Sequence, residues 1–334
     1  MQKILITGFG GFIGYSLVQE LKDKFRITAL DNFSELSNYE IKKARAAQLG
    51  IADIDLLKST GNIQTTAADF YYADLCNPQQ LEKCFAGEKI DVIVHLAALT
   101  GVRQSLLTPQ AYIDSNVKGF INLLELANKH GVKNIIYASS SSVYGLNRET
   151  PYTENQRTDT PISVYAASKK ADELLAHTYS HLYGINLIGL RFFTVYGPWT
   201  RPDMAACIFM KAILEGKPID LFNEGQMVRD FTYVGDVVKS ISLLIDKIQE
   251  PGDVKNLIFN VGNHHPVYTI DFLKEIELAL GKKAIVNNKP VQPGDMLATN
   301  ADCAALYTYT GYKPDTPISK GIAEMVKWYT AYKA

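Results

Sequence analysis

Tyr165 and Lys169 stand four residues apart in Tyr-Ala-Ala-Ser-Lys, at the start of a helical stretch, so phenol and ammonium share one helix face. Tyrosine ionises near about 10 in water and is a weak base at neutrality unless positive charge stabilises its phenolate. Lys169 supplies such a charge. The chain holds 19 tyrosines, so this spacing alone is weak. A second cluster strengthens it: Ser139-Ser140-Ser141-Ser142 precedes Val143-Tyr144-Gly145 and follows the apolar strand Ile135–Ala138. In an open α/β sheet that placement sets hydroxyls at the carboxyl edge, where ligands bind. A capping and turn cluster is the structural alternative for the serines.

The amino-terminal run Thr7-Gly8-Phe9-Gly10-Gly11-Phe12-Ile13-Gly14 joins an apolar strand to a helix. Gly8, Gly11 and Gly14, with Phe12 and Ile13 between them, let backbone approach a pyrophosphate at a helix amino terminus. Tight turns use glycine for conformational reasons too, so the context decides. Asp31 follows the second strand, 23 residues after Gly8, with Asn32 beside it. A carboxylate there takes ribose hydroxyls and repels a 2′-phosphate, which favours NAD over NADP. Oxidised nicotinamide beside Tyr165 and Lys169 would add positive charge and make the base depend on cofactor state.

These residues need a scaffold. Lys3–Thr7, a helix over about 11–21 and Arg26–Leu30 form a βαβ opening, followed by strand candidates Ala67–Tyr72, Val92–His95, Ile135–Ala138 and Asn186–Arg191. The expected fold is α/β, a Rossmann-like doubly wound parallel sheet over residues 1–190, with a smaller carboxy-terminal lobe over 191–334 that binds substrate. Phe231–Val234 and Ile258–Val261 are read as strands returning to the main sheet, within about 229–262. Glu35–Leu57 is read as helical, with Lys42, Lys43 and Arg45 on a solvated face.

The chain has 334 residues, 34 Lys+Arg against 35 Asp+Glu and 47% hydrophobic residues, enough for globular cores and against general binding of nucleic acid or membrane surfaces. The apolar run at the amino terminus is too short for a secretory or membrane segment, and the expected location is the cytoplasm. Cys76, Cys84, Cys207 and Cys303 lack C-x-x-C spacing and read as reduced, buried thiols. His177 and His181 are spaced i, i+4 but lack the glutamate of a zinc motif, so no metal is expected.

Together, the Gly8/Gly11/Gly14 turn, the serine run ending in Val143-Tyr144-Gly145, and Tyr165/Lys169 resemble the extended short-chain dehydrogenase/reductase superfamily of nucleotide-sugar epimerases and dehydratases. Residues 165–184, 189–205, Arg229-Asp230-Phe231-Thr232-Tyr233 and Gln292-Pro293-Gly294-Asp295 are most similar to UDP-glucuronate 4-epimerases. The resemblance implies that Ser140 holds the C4 oxygen with Ser141 and Ser142 nearby, that Tyr165 is the base, and that Lys169 is its partner. It places Asp74 and Leu75 at the adenine and Leu96, Ala97 and Ala98 along the cofactor. Thr194 and Arg201 would restrain a uronate carboxylate, Arg229 would grip the diphosphate, and Asp295 would contact substrate. An exposed loop salt bridge is the structural alternative for Arg201.

The implied reaction passes hydride from C4 to NAD and back to the opposite face of a turned 4-keto sugar. Remote UDP binding would hold the substrate while the sugar rotates. The resemblance also implies a homodimer whose helices, about Pro109–His130 and Tyr165–Tyr183, form a four-helix bundle, and a place in polysaccharide biosynthesis. Related 4,6-dehydratases carry Thr-Asp-Glu before Val-Tyr-Gly, and UDP-glucuronate decarboxylases carry Glu where Ser142 stands. Neutral-sugar 4-epimerases share the entire catalytic set and are the alternative reading; they usually have Asn at the position of Thr194 and Arg where Gln292 stands, departures that point to the uronate. NAD-sensing relatives without turnover commonly lose the tyrosine or the lysine, and both are present here.

Overall fold

The computed structural model describes residues 1–36, 38–290 and 297–333. It divides into two units, the first built from residues 1–147, 157–191 and 241–259, the second from 148–156, 192–240 and 260–334.

The first unit carries an eight-stranded sheet in the order Asn256–Val261, Asn186–Phe192, Asn134–Ser140, Val92–His95, Lys3–Thr7, Arg26–Asp31, Asp69–Tyr72, Asn62–Gln64. Lys3–Thr7 pairs in parallel with both Arg26–Asp31 and Val92–His95, so the strand order reverses around the first strand. Ligands in open α/β sheets bind beside such a reversal, at the carboxyl ends. The register puts Thr7 opposite His95 and His95 opposite Tyr137, one row across that edge. The Asn62–Gln64 edge strand is antiparallel to its neighbour. These strands are apolar on both faces because helices cover both, and Leu5, Ile93, Ile135, Phe120 and Leu123 are fully buried in one core.

The second unit has its own core, which includes Phe209, Met210, Phe231, Phe272, Ile322 and Met325. The Phe231 and Phe272 rings stack at 3.9 Å. Its strands form small two-stranded ladders.

Three sequence expectations need correction. Phe231–Tyr233 does not return to the main sheet but pairs in parallel with Thr194–Tyr196. Its anchor is Asp230, fully buried, whose carboxylate accepts the backbone N–H groups of Asn263, His264 and Ala301. Residues 148–156, expected in the first unit, belong to the second, where Tyr152 exchanges backbone hydrogen bonds with Asn300 and Asp302. Finally, 35–57 is not one solvated helix: Tyr39–Gln48 and Ile54–Thr60 are separate, and of the three cations only Lys43 is well exposed. Lys42 and Arg45 are buried.

Candidate active site

The glycine turn is held closed from within. Gly8 has φ of 82°, and a Cβ on it would lie 2.7 Å from the Ala97 nitrogen. A Cβ on Gly14 would lie 2.1 Å from the Gly8 carbonyl oxygen. Close backbone approach therefore requires both glycines. Thr7 fixes the neighbouring strand end: its Oγ1 accepts the N–H groups of Leu96 and Ala97 at 3.1 and 3.0 Å and bonds His95 Nδ1 at 2.8 Å. Gly8, Leu96 and Ala97 are thus assembled at one sheet edge, with Ala98 next in the chain. Gly11 caps the Phe12–Leu21 helix without a side-chain hydrogen bond, leaving the N–H groups at Phe12 and Ile13 to a ligand.

Asp31 ends the second strand and is buried. Its Oδ2 accepts Gly10 N–H at 3.0 Å; its Oδ1 accepts Phe33 N–H at 2.7 Å and Lys42 Nζ at 3.0 Å. A carboxylate has about four lone-pair sites, so capacity remains for a diol. Arg45 Nη1 donates to the Gly10 carbonyl at 2.7 Å. Lys42 and Arg45, read from the sequence as solvated, brace the cofactor turn and its acid instead. The available signal was Asp31 itself, since a buried carboxylate needs a counter-charge. Asn32 Nδ2 donates to Asp74 Oδ2 at 3.0 Å, which brings those two residues together. Leu75 is buried, and its carbonyl accepts from Asn122. The uncapped helix terminus, the carboxylate with spare acceptors and the Asn32–Asp74 pair fit the diphosphate, diol and polar base edge of NAD.

The catalytic candidates lie in the same unit. Asn134–Ser140 ends in Ser140, whose Oγ accepts Ser142 N–H at 3.2 Å and Ser142 Oγ–H at 2.9 Å. Ser141–Tyr144 forms a 3₁₀ turn, so the expected capping role and the presentation of hydroxyls coexist. Ser163 caps the Val164–Tyr183 helix by accepting Ala166 N–H, which sets Tyr165 in its first turn. Tyr165 is half-buried and meets Tyr112 edge-on at 6.3 Å. The Ile113–Lys118 stretch is π-helical, and Asn116 within it donates to Ser168 Oγ while exchanging hydrogen bonds with the Leu99 backbone.

The Lys169 ammonium, 2% exposed, pairs with Asp172 Oδ2 at 2.9 Å. Burial pushes the Asp172 carboxyl up to about 6, against the opposing pull of Lys169. Its neighbour Glu173 is held below the ordinary carboxylate range: burial opposes ionisation, but the Arg191 guanidinium and the Ser139 hydroxyl outweigh it. Arg191 Nε and Nη2 fork onto Glu173 at 2.8 and 2.9 Å, Ser139 Oγ donates to Glu173 at 2.7 Å, and Arg191 Nη1 donates to Tyr144 Oη at 3.1 Å. One buried network therefore ties the serine strand, the Tyr144 turn and the Tyr165 helix. Sequence reasoning missed it, although an arginine inside an apolar strand such as Asn186–Phe192 always demands a partner. His95 is fully buried, and burial together with nearby Lys169 lowers it to about 3, so it is neutral.

The expected substrate residues Thr194, Arg201 and Arg229 lie in the second unit. Thr194 starts a strand, its N–H donating to the Asp230 carbonyl at 3.1 Å. Arg201 forms the loop ion pair that the sequence allowed as the alternative: Nε and Nη2 reach Asp203 at 3.0 and 2.8 Å. Arg229 Nη1 donates to the Val228 carbonyl at 2.9 Å. Gln292 and Asp295 lie outside the described residues. Cys84, Cys207 and Cys303 are buried; Cys76 is half-buried, its thiol pushed up to about 11 by burial and nearby Asp74. Among the described residues, no helix is long and apolar enough to cross a membrane.

Comparison with known proteins agrees with this geometry. The chain is 42% identical over 344 aligned positions to Protein CapI of Staphylococcus aureus, covering 99% of each chain. It is 39% identical to UDP-glucuronate 4-epimerase 4 of Arabidopsis thaliana, across 98% of this chain and 75% of that protein. The crystal structure of a Bacillus cereus UDP-glucuronic acid 4-epimerase, in complex with UDP-glucuronic acid and NAD, superposes with a TM-score of 0.88 at 30% identity, covering 99% of this chain and 100% of that one. Residues 4–262 match the NAD dependent epimerase/dehydratase family, and the chain, whose first unit carries the glycine turn, buried Asp31, Ser140, Tyr165 and Lys169 around one doubly wound sheet, belongs to that family.

Proposed function

We propose that this protein inverts C4 of UDP-glucuronate to give UDP-galacturonate, reversibly and through a 4-keto sugar. The observation that carries the reading is the joint placement of Ser140, Ser142 and the Tyr165–Lys169 helix face in the unit that holds the glycine turn, in a chain similar over nearly its whole length to UDP-glucuronate 4-epimerases.

NAD, when bound, supplies a reversible hydride acceptor. The protein supplies the rest. Tyr165 takes the C4 hydroxyl proton and later returns it, while Ser140, with Ser142 donating to it, holds the C4 oxygen. Lys169 places positive charge behind the phenolate. Arg229 grips the diphosphate, so that binding energy is gained away from the sugar, which stays free to turn. A 4-keto uronate is a β-keto acid and loses carbon dioxide easily, so its carboxylate needs restraint. Arg201 is suited to this because it already forks onto a carboxylate, Asp203, and exchanging one carboxylate for another keeps both hydrogen bonds. Thr194 adds a hydroxyl.

Inversion of neutral UDP-hexoses is the second reading, since Ser140, Tyr165 and Lys169 act at C4 alike whether C6 carries a hydroxyl or a carboxylate. Incubation with a panel of UDP-sugars, with products resolved by NMR, separates the two. C4 inversion of the uronate supports the proposal; inversion of UDP-glucose alone, or loss of carboxylate, overturns it.

The working form is proposed as a cytoplasmic homodimer that supplies polysaccharide biosynthesis. Leu106, Leu107, Ile113, Leu174 and Leu182 are exposed on or beside the helices expected to form the bundle, which supports self-association there. Sedimentation at micromolar concentration tests it, a monomer being the adverse result.

A further inference from the structure

Tyr165, Lys169 and Asp172 stand at i, i+4 and i+7 of one helix, spacings that return to the same face every turn. Asp172 has no part in the reaction as usually derived for a Tyr-x-x-x-Lys pair. Yet it is the ion-pair partner of the Lys169 ammonium, at 2.9 Å, and both side chains are almost wholly buried. Its second oxygen, Oδ1, is buried and has no hydrogen-bond partner among the described residues. A carboxylate so placed is costly unless the ammonium it faces must be held and partly neutralised.

We propose that Asp172 is a positioning residue of the reaction, whose carboxylate holds the Lys169 ammonium and sets how much positive charge that ammonium presents to Tyr165. The inference rests on Tyr165 acting as the base. The groups around Asp172 make its charge state consequential. On its own helix stand Lys169 and Glu173, the latter matched by Arg191 from the adjoining strand. From the sheet, Tyr137 feels Asp172 and Glu173 and is kept neutral by burial, and His95, beside Lys169, is neutral as well. Asp172 itself has its carboxyl raised to about 6 by burial. Ionised, it compensates Lys169. Protonated, it leaves the ammonium's charge to the phenol.

Removing the carboxylate exposes the full charge of Lys169. Asp172 lies about 10 Å along the helix from Tyr165 at ~1.5 Å per residue, and one charge at that range in a protein interior moves a titration by about one pH unit. The test compares Asp172→Asn and Asp172→Glu with the unaltered enzyme, using kcat/KM for UDP-glucuronate from pH 5 to 9 and urea unfolding from pH 4.5 to 7.5. For Asp172→Asn, the acidic limb moves about one unit toward acid, and the loss of stability seen in the parent as pH rises from about 4 to 6 disappears. Asp172→Glu keeps the limb near its parental position, because charge rather than shape sets it. An unmoved limb in Asp172→Asn with parallel stability curves overturns the proposal. So does a shift of equal size in both variants, which would indicate a packing role alone. If Asp172→Asn does not fold, a parental limb in Asp172→Glu still supports the proposal and a displaced one overturns it. Failure of the base assignment shows separately, as turnover retained in Tyr165→Phe.

Discussion

Glu173→Ala severs the buried network at its centre. In the parent both Glu173 and Arg191 side chains are 2% exposed, and the carboxylate accepts from Arg191 Nε, Arg191 Nη2 and Ser139 Oγ within 2.9 Å. Alanine removes these three contacts and the 3.3 Å bond from Lys170 Nζ at once, and leaves a guanidinium in the interior with Tyr144 as a neighbour, ring centroid at 4.9 Å. Loss of one partner from a buried ion pair costs about 3–5 kcal/mol, because the remaining charge has no water to turn to. For a 334-residue chain, an unfolding entropy of ~2.1 cal/mol/K per residue converts that cost into a fall in Tm of roughly 4–7 °C. Glu173→Gln, which can still accept one guanidinium hydrogen bond, loses less. The network also orients Ser139, next to Ser140, and Tyr144 at the end of the Ser141–Tyr144 turn, so kcat is expected to fall more than KM rises. Calorimetry with NAD in excess and steady-state kinetics on the same preparations provide the test. A Tm within about 1 °C of the parent, with unchanged kcat, would refute the claim that this pair carries the site.

Gly14→Ala forces a methyl to within 2.1 Å of the Gly8 carbonyl oxygen, where only backbone could move; NAD affinity falls at least tenfold in a fluorescence titration, and tight binding would refute the close-approach argument. Lys42→Met strips Asp31 of its buried counter-charge; NAD affinity drops by roughly tenfold and thermal stability by about 1–3 kcal/mol, measured by calorimetry, whereas an unchanged Kd would show that Lys42 is a bystander. Arg201→Ala reduces turnover of UDP-glucuronate far more than binding of UDP; equal activity in variant and parent would end the carboxylate assignment. Glu173, held low by Arg191, contributes stability above about pH 4.5 that is lost as pH falls through its lowered value, so acid unfolding of the parent is steeper than that of Glu173→Gln.

The scaffold was legible because short apolar strands alternating with helices leave few arrangements, and the glycine turn and Asp31 mark the first crossover by chemistry as well as pattern. The Ser140 and Tyr165 positions followed from the sheet edge and the helix start. Lys42, Arg45, Asp172, Glu173 and Arg191 were harder to read because a charged residue on an amphipathic helix has the same signature whether its partner is water or a buried ion; tertiary packing decides. Arg191 was the exception, a cation in a strand with no polar face. Phe231–Tyr233 misled because a three-residue run with aromatic ends records that it is buried but not which ladder it joins. That choice was made by Asp230, whose acceptors collect N–H groups from loops more than 30 residues away.

The strand at one edge of the large sheet, Asn256–Val261, is the last of the eight to be synthesised, and it lies next to Asn186–Phe192, which is made about 70 residues earlier. Between them the chain builds most of a separate core. On a ribosome adding about 5–20 residues per second, the strand ending at Phe192 waits several seconds for its outer neighbour, with one row of backbone N–H and C=O groups unpaired. An unpaired apolar edge of this kind recruits other nascent chains. Slower decoding between codons 192 and 256, or depletion of a holdase that covers strands, should therefore reduce soluble yield more than the same disturbance placed after residue 262.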